Sequence, residues 1–165
     1  MKRVGYDGSG HMRLNIGVDQ ALKKAMQYCA YQERSHAEVK EKLYSFGLRS
    51  SEVDELMARL IGDNFLNEER FAIAYAGGKF RMKQWGRQKI RYALKAKGIS
   101  DYCIRKGLAS IDVGDYERVL EKLFLAKKKS LSSEKNLFTK KAKIRQHLLQ
   151  KGFEADLVDE LIKGI

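Results

Sequence analysis

Ile90-Arg91-Tyr92-Ala93-Leu94-Lys95-Ala96-Lys97-Gly98-Ile99 is the stretch from which the fold can be read, because its pattern occurs three times. Gly98 has counterparts in Gly47 and Gly152. Four positions before each glycine stands a leucine (Leu43, Leu94, Leu148), and eight before stands a β-branched residue (Val39, Ile90, Ile144). One position after come Leu48, Ile99 and Phe153; six after come Val53, Ile104 and Val158. The agreement continues at Met57, Leu108 and Ile162, and again at Leu60, Ile111 and Ile165. Little other identity links the segments, so the shared apolar spacing marks an internal repeat.

The spacing also defines the repeating unit. Residues eight and four before the glycine share one helix face, and those six, ten and thirteen after it share one face of a following helix. The glycine ends the first helix by taking a left-handed conformation that costs other residues more. Ser50 or Ser51 and Ser100 are placed to N-cap the second helix, with Glu154 at the matching point of the third copy. Another helical run precedes each pair, over 21–31, 67 to about 83, and 115 to about 129, and Gly77-Gly78 in the second marks a kink or close-packing point. The expected fold is therefore all-α: three tandem three-helix repeats, over 18–66, 67–111 and 112–165, stacked into an elongated, curved solenoid. Gly8-Ser9-Gly10-His11-Met12 reads as an artificial linker, so residues 1–17 are set aside as a tag or disordered N-terminus.

Composition agrees with a helical stack. The 165 residues include no proline, where average usage would give roughly eight. Hydrophobic residues make up 44%, enough for a core, yet no run approaches the ~20 apolar residues of a membrane span. Cys29 and Cys103 lie in apolar surroundings without metal-ligand spacing and read as buried hydrophobes of a reducing compartment. With no signal peptide in view, the expected location is the cytoplasm.

The net charge of +12 is unevenly spread. Residues 21–66 balance seven basic against seven acidic side chains, 67–111 carry eleven against three, and 112–165 carry twelve against nine. Lys79, Arg81, Lys83, Arg87, Lys89, Arg91, Lys95 and Lys97 follow one another with no acid between them, and Phe80, Trp85 and Tyr92 are interleaved. A second basic run, from Lys127 to Lys151 and including Lys140, Lys141, Lys143 and Arg145, contains only Glu134 as an acid. These runs read as a surface for phosphates or for an acidic protein, with Trp85 available for stacking. A solvated face that merely keeps the chain soluble is the competing reading; eight cations without an acid favour binding. Lys40, Arg91 and Arg145 occupy one repeat position beside the buried stripe and are candidates for lining a groove, although chance accounts for the trio equally well.

Catalytic motifs find no support. Gly77-Gly78-Lys79 has Ile73 where a phosphate loop needs its first glycine and Phe80 where it needs Ser or Thr. Glu68-Glu69 suits a helix start, and His11, His36 and His147 share no zinc-ligand spacing. The chain reads as a non-enzyme with no cofactor and no metal.

Arg34-Ser35-His36-Ala37-Glu38-Val39, followed by Lys42-Leu43 and Gly47, resembles the opening Arg-Ser-x-x-Glu-Leu repeat of the RecX regulatory proteins. Phe65-Leu66-Asn67-Glu68-Glu69-Arg70-Phe71-Ala72 is similar to that family's Leu-Asp-Asp-x-x-Phe-Ala block. Gly86-Arg87-Gln88-Lys89-Ile90, then Leu94 and Lys97-Gly98-Ile99, resembles its Gly-x-x-x-Ile…Leu…Lys-Gly-Ile block, and Lys151-Gly152-Phe153 also fits. The likeness covers about 20–165. Val39 in place of leucine and Asn67-Glu68 in place of paired aspartates keep the same physical roles. The resemblance implies a monomeric, non-enzymatic modulator of the RecA recombinase that lodges in the RecA–single-stranded-DNA filament. It further implies repression of ATP hydrolysis, strand exchange and co-protease activity, within recombination, DNA repair and the SOS response. Single- and double-stranded DNA would be secondary partners. The alternative is a direct DNA-binding helical protein acting through phosphate contacts: Arg87–Lys97, Gly98 and the helix from Asp101 outline a helix-turn-helix. Its second helix offers only Asp101, Tyr102, Arg105 and Lys106, which favours phosphate or protein contact over base reading.

Overall fold

A computed structural model describes the backbone of residues 3–6 and 12–165, and side chains from residue 14 onward. Among the described residues there are nine α-helices: α1 (Val18–Tyr31), α2 (His36–Ser45), α3 (Ser50–Gly62), α4 (Glu68–Lys83), α5 (Arg87–Ala96), α6 (Asp101–Ala109), α7 (Val113–Ser130), α8 (Leu137–Gln150) and α9 (Ala155–Ile162). They form the three three-helix repeats expected from the glycine spacing. Two compact units result, one ending at Phe71 and the other running from Ala72 to Ile165.

Most of the repeat positions are core positions, with Met57, Ile162 and Ile165 half-buried. Val39, Leu43, Ile90, Leu94, Ile144 and Leu148 are completely buried, and Leu48, Ile99, Phe153, Val53, Ile104 and Val158 nearly so. The unit ending at Phe71 closes around Val39, Leu43, Val53, Leu56 and Leu60, against Ala21 and Ala25 of α1. In the unit from Ala72 onward, the buried Tyr116 ring of α7 stacks on Phe80 at 5.8 Å and meets Phe153 at 5.2 Å.

Each turn glycine is left-handed, with φ of 80° at Gly47, 78° at Gly98 and 99° at Gly152. The Ile99 amide donates to the Leu94 carbonyl and the Phe153 amide to the Leu148 carbonyl, each at 3.2 Å, which closes the helix end against its own last turn. Asn64 after α3 and Gln84 after α4 take the same conformation, with φ of 62° and 55°.

Local chemistry sets the helix starts. Ser35 caps α2 in a reciprocal box: its hydroxyl accepts from the Glu38 amide at 3.2 Å, and its own amide donates to the Glu38 carboxylate at 3.0 Å. That box is the physical content of the Arg-Ser-x-x-Glu motif, whose Arg34 lies 3.7 Å from the Tyr28 ring and donates to the Tyr28 carbonyl. Ser100 caps α6 as expected, accepting from the Cys103 amide.

Several sequence expectations need correction. Ser50 is the first residue of α3 rather than its cap, which is Arg49, and the Ser50 hydroxyl pairs with the Tyr44 hydroxyl at 3.0 Å. α4 runs without a break through Gly77-Gly78, where Gly77 is a close-packing point against the Arg81 guanidinium, and Gly107 of α6 packs tightly as well, its absent β-carbon leaving room for the Ala72 carbonyl. Order also begins before residue 17. β1 (Arg3–Tyr6) pairs antiparallel with β2 (Met12–Asn15), and the segment following β2 bonds the first repeat, the Ile16 amide donating to the Phe46 carbonyl at 3.2 Å. Residues 8–11 of the linker reading lie outside the described residues.

Candidate functional site

The corner between α4 and α5 collects the strongest basic and aromatic features. After Lys83, left-handed Gln84 reverses the chain and the Trp85 amide reaches back to the Lys79 carbonyl at 3.3 Å. This puts Trp85 half-buried between two cations, with the Lys79 ammonium 5.0 Å from its ring and the Lys89 ammonium 4.7 Å. An open-sided cleft of about 490 Å³ lies alongside, lined by Trp85, Gln88, Lys89, exposed Tyr92, Leu149 and Gly152. Its size suits a planar group such as a nucleobase, with cations beside the ring to meet phosphate.

The third repeat holds this corner in place. The Gly86 amide donates to the Lys151 carbonyl at 2.8 Å, the Gln88 amide to the Gly152 carbonyl at 2.9 Å, and the Lys151 ammonium to the Lys83 carbonyl at 2.7 Å. Burial, reinforced by the Lys89 and Lys83 charges, holds the Lys151 ammonium below the ordinary lysine range. Cations crowded this way destabilise one another, and an anion would relieve them.

Other residues of the first basic run lie elsewhere. Arg81 curls over Gly77 and lines a separate cleft with Phe80, Asp115 and Arg118. Arg87 turns inward: its guanidinium donates to the Glu154 carboxylate at 2.8 Å and lies 3.8 Å from the centre of the Tyr116 ring. The Tyr116 hydroxyl donates to the same carboxylate at 2.5 Å and accepts from the Arg87 amide at 3.0 Å. Burial first, then the Glu154 hydrogen bond, raise the Tyr116 phenol above its usual range. Lys83, Arg91 and Lys95 are exposed, whereas Lys97 and Lys79 flank the half-buried Tyr75 ring at 5.7 and 5.4 Å.

In the second run, Lys143 pairs with Glu134 at 3.4 Å and Arg145 with Asp159 at 2.8 Å, while Lys140 and Lys141 are half-buried. The repeat-equivalent trio is not uniform: Arg145 is engaged by Asp159, Arg91 is exposed, and Lys40 is exposed in the unit ending at Phe71. Sequence reasoning missed Gln88, Leu149 and Lys151 as members of the cleft and its support. The only available signal was Lys151 at the end of the second basic run.

No helix among the described residues is long and apolar enough to cross a membrane, and no cluster of three or more potential metal ligands occurs among them.

Three family models match in succession: the first three-helix domain of RecX over residues 21–60, the second over 67–108 and the third over 116–162. A regulatory protein RecX from Bacillus licheniformis is 32% identical over 148 residues, covering 88% of this chain and 55% of the relative. One from Bacillus mycoides is 29% identical over 151 residues, covering 90% and 55%. The chain thus spans about half the length of these curated relatives. The crystal structure of RecX from Lactobacillus salivarius superposes with a TM-score of 0.81 at 26% identity, covering 89% of this chain and 95% of the other. A second RecX crystal structure shares the fold, with a TM-score of 0.78 at 23% identity over 90% and 72% of the two chains. With all three helical domains matched in order, the chain belongs to the RecX family of regulatory proteins.

Proposed function

We propose that this chain is a non-enzymatic regulator that binds the RecA–single-stranded-DNA filament and restrains its ATPase, strand-exchange and co-protease activities, thereby modulating recombination and repair. Family membership supports the regulatory role. The observation that carries the filament contact is Trp85, held between the Lys79 and Lys89 ammonium groups beside exposed Tyr92. Such a group stacks an unpaired base while its lysines neutralise adjoining phosphates. In this reading 18–66, 67–111 and 112–165 are the working units, the middle one being the main contact. The protein acts in the cytoplasm as a monomer and needs no cofactor.

The test is RecA ATP turnover on single-stranded DNA, with a cognate RecA. Addition at stoichiometric amounts is expected to suppress turnover, both during filament assembly and on preformed filaments. No suppression in either order of addition rejects the proposal.

A second reading, direct DNA binding through phosphates, is favoured by the convergence of Lys83, Lys89 and Lys151. It predicts tight, salt-sensitive binding to free DNA without RecA, and equal affinity for unrelated sequences.

A further inference from the structure

The cleft beside Trp85 has an apolar part and a charged edge. Its walls come from α5 and from the end of α8, all within the unit from Ala72 to Ile165, and its volume is about 490 Å³. Trp85, Ala93 and Leu149 supply the apolar part, and none of the lining residues is acidic. Gln88 and Gln150, one from each wall, carry amides that can meet the edge of a base.

The charged edge is built by the packing of the third repeat on α5. Gly152 lies so close to the Lys89 backbone that a β-carbon there would stand 2.7 Å from the Lys89 nitrogen. The preceding residue, Lys151, donates from its ammonium to the Lys83 carbonyl at 2.7 Å. Lys83 and Lys89 lie near enough to Lys151 for their charges, after burial, to lower its ammonium below the ordinary lysine range. None of these three lysines has a carboxylate partner among the described residues.

We propose that the cleft is a binding site for a nucleotide that ends in a phosphate group, its base lying along Trp85 and Leu149 and its terminal phosphates among Lys83, Lys89 and Lys151. Charge selects this ligand over the interior of a strand. A phosphodiester within a strand brings one negative charge, whereas a terminal phosphate brings about 1.5–2 at neutral pH and a diphosphate brings more. Three ammonium groups gathered without an acid match the second kind. The Lys89 ammonium, 4.7 Å from the Trp85 ring, leaves that ring for the phosphate as the base takes its place. A free nucleoside diphosphate and a 5′-phosphorylated strand end share this chemistry, and the experiment separates them.

The inference rests on the stacking role given to Trp85 above, and its test contains no RecA. The full chain is titrated with ADP by isothermal titration calorimetry, and the amides of Gly86, Lys89 and Gly152 are followed by NMR. Adenosine and inorganic pyrophosphate are the controls for the two halves of the ligand. ADP is expected to bind about tenfold or more tightly than either, shifting those three amides. Lys83→Gln, which alters an exposed side chain, is expected to weaken ADP about tenfold more than it weakens adenosine, with the helical circular dichroism unchanged. Adenosine or pyrophosphate binding as tightly as ADP overturns the proposal. So does an unchanged ADP affinity in Lys83→Gln, or no binding of ADP to the unaltered protein at millimolar concentration.

A tetranucleotide of deoxyadenosine, with and without a 5′-phosphate, distinguishes the two sources. Tighter binding of ADP than of either strand assigns the site to a free nucleotide. Tighter binding of the phosphorylated strand, by about tenfold over its unphosphorylated form, assigns it to a strand end. An unphosphorylated strand that binds as tightly as the phosphorylated one, and more tightly than ADP, overturns the proposal. Loss of nucleotide binding with RecA turnover still suppressed rejects this site alone, and the reverse result rejects the filament reading alone.

Discussion

Gly86 and Gly152 lie backbone against backbone, so closely that a β-carbon on Gly86 would stand 2.3 Å from the Gly152 carbonyl carbon. Nothing flexible fills that space, and a methyl group there must push two main chains apart. Gly86→Ala is therefore expected to destabilise the protein by about 2–3 kcal/mol, which in a chain of this size lowers the melting temperature by roughly 4–12 °C. Thermal denaturation followed by circular dichroism checks this.

Arg87 and Lys89 are neighbours in a basic run but have different roles. Arg87→Ala leaves Glu154 and Tyr116 without their cation and is expected to cost about 2 kcal/mol of stability, as for a lost hydrogen bond to a charged group. The paired change Lys79→Ala and Lys89→Ala is expected to leave the melting temperature nearly unchanged and to weaken single-stranded DNA or filament association. If these lysines meet phosphates, the log–log salt slope falls by ~0.7 for each phosphate no longer neutralised. Weaker filament binding with an unchanged slope assigns them to protein instead.

Much of this architecture is legible along the chain because its causes are local. The spacing of Leu94, Gly98 and Ile104 is enough to specify a helix, a left-handed stop and a second helix, and the same holds around Gly47 and Gly152. Arg87 shows where such reading fails. Its charge is engaged by Glu154, 67 residues later, and by the ring of Tyr116, neither of which a local pattern reveals. Ser50 and Arg49 differ only by which residue the turn leaves extended, and the two strands before α1 carry an alternation of just two apolar positions each, Val4 and Tyr6, then Met12 and Leu14, too short to announce them. At the site, Trp85 and Lys89 were visible as an aromatic among cations, while Lys151 and Leu149 arrive from another repeat by tertiary packing.

The Ser35–Glu38 box gives a separate test of local control. Ser35 is only 2% exposed, so its removal leaves the start of α2 unsatisfied away from solvent. Ser35→Ala is expected to cost about 1 kcal/mol, within a range of roughly 0.5–2, read as a lowered urea midpoint with unchanged slope.

Burial first, and then the charges of Lys127 and Lys151, hold His147 below the ordinary imidazole range. The folded chain therefore binds this proton less readily than the unfolded chain, and stability rises with pH through the window below the unfolded imidazole value. His147→Gln removes that dependence. Its melting temperature, measured relative to the unaltered protein, is expected to improve steadily from pH 7.5 to 5.5; a constant difference rejects the assignment.

Trp85 is the only tryptophan of the chain, and it sits on the corner that Lys151 and Gly152 hold by backbone hydrogen bonds. The consequence is optical. The indole works as a built-in beacon for the seating of the α8–α9 turn, because loosening that turn hands the ring from a structured cationic setting to bulk water. A chain whose last repeat has come adrift should announce it by a change in emission colour while most of its helices are still intact.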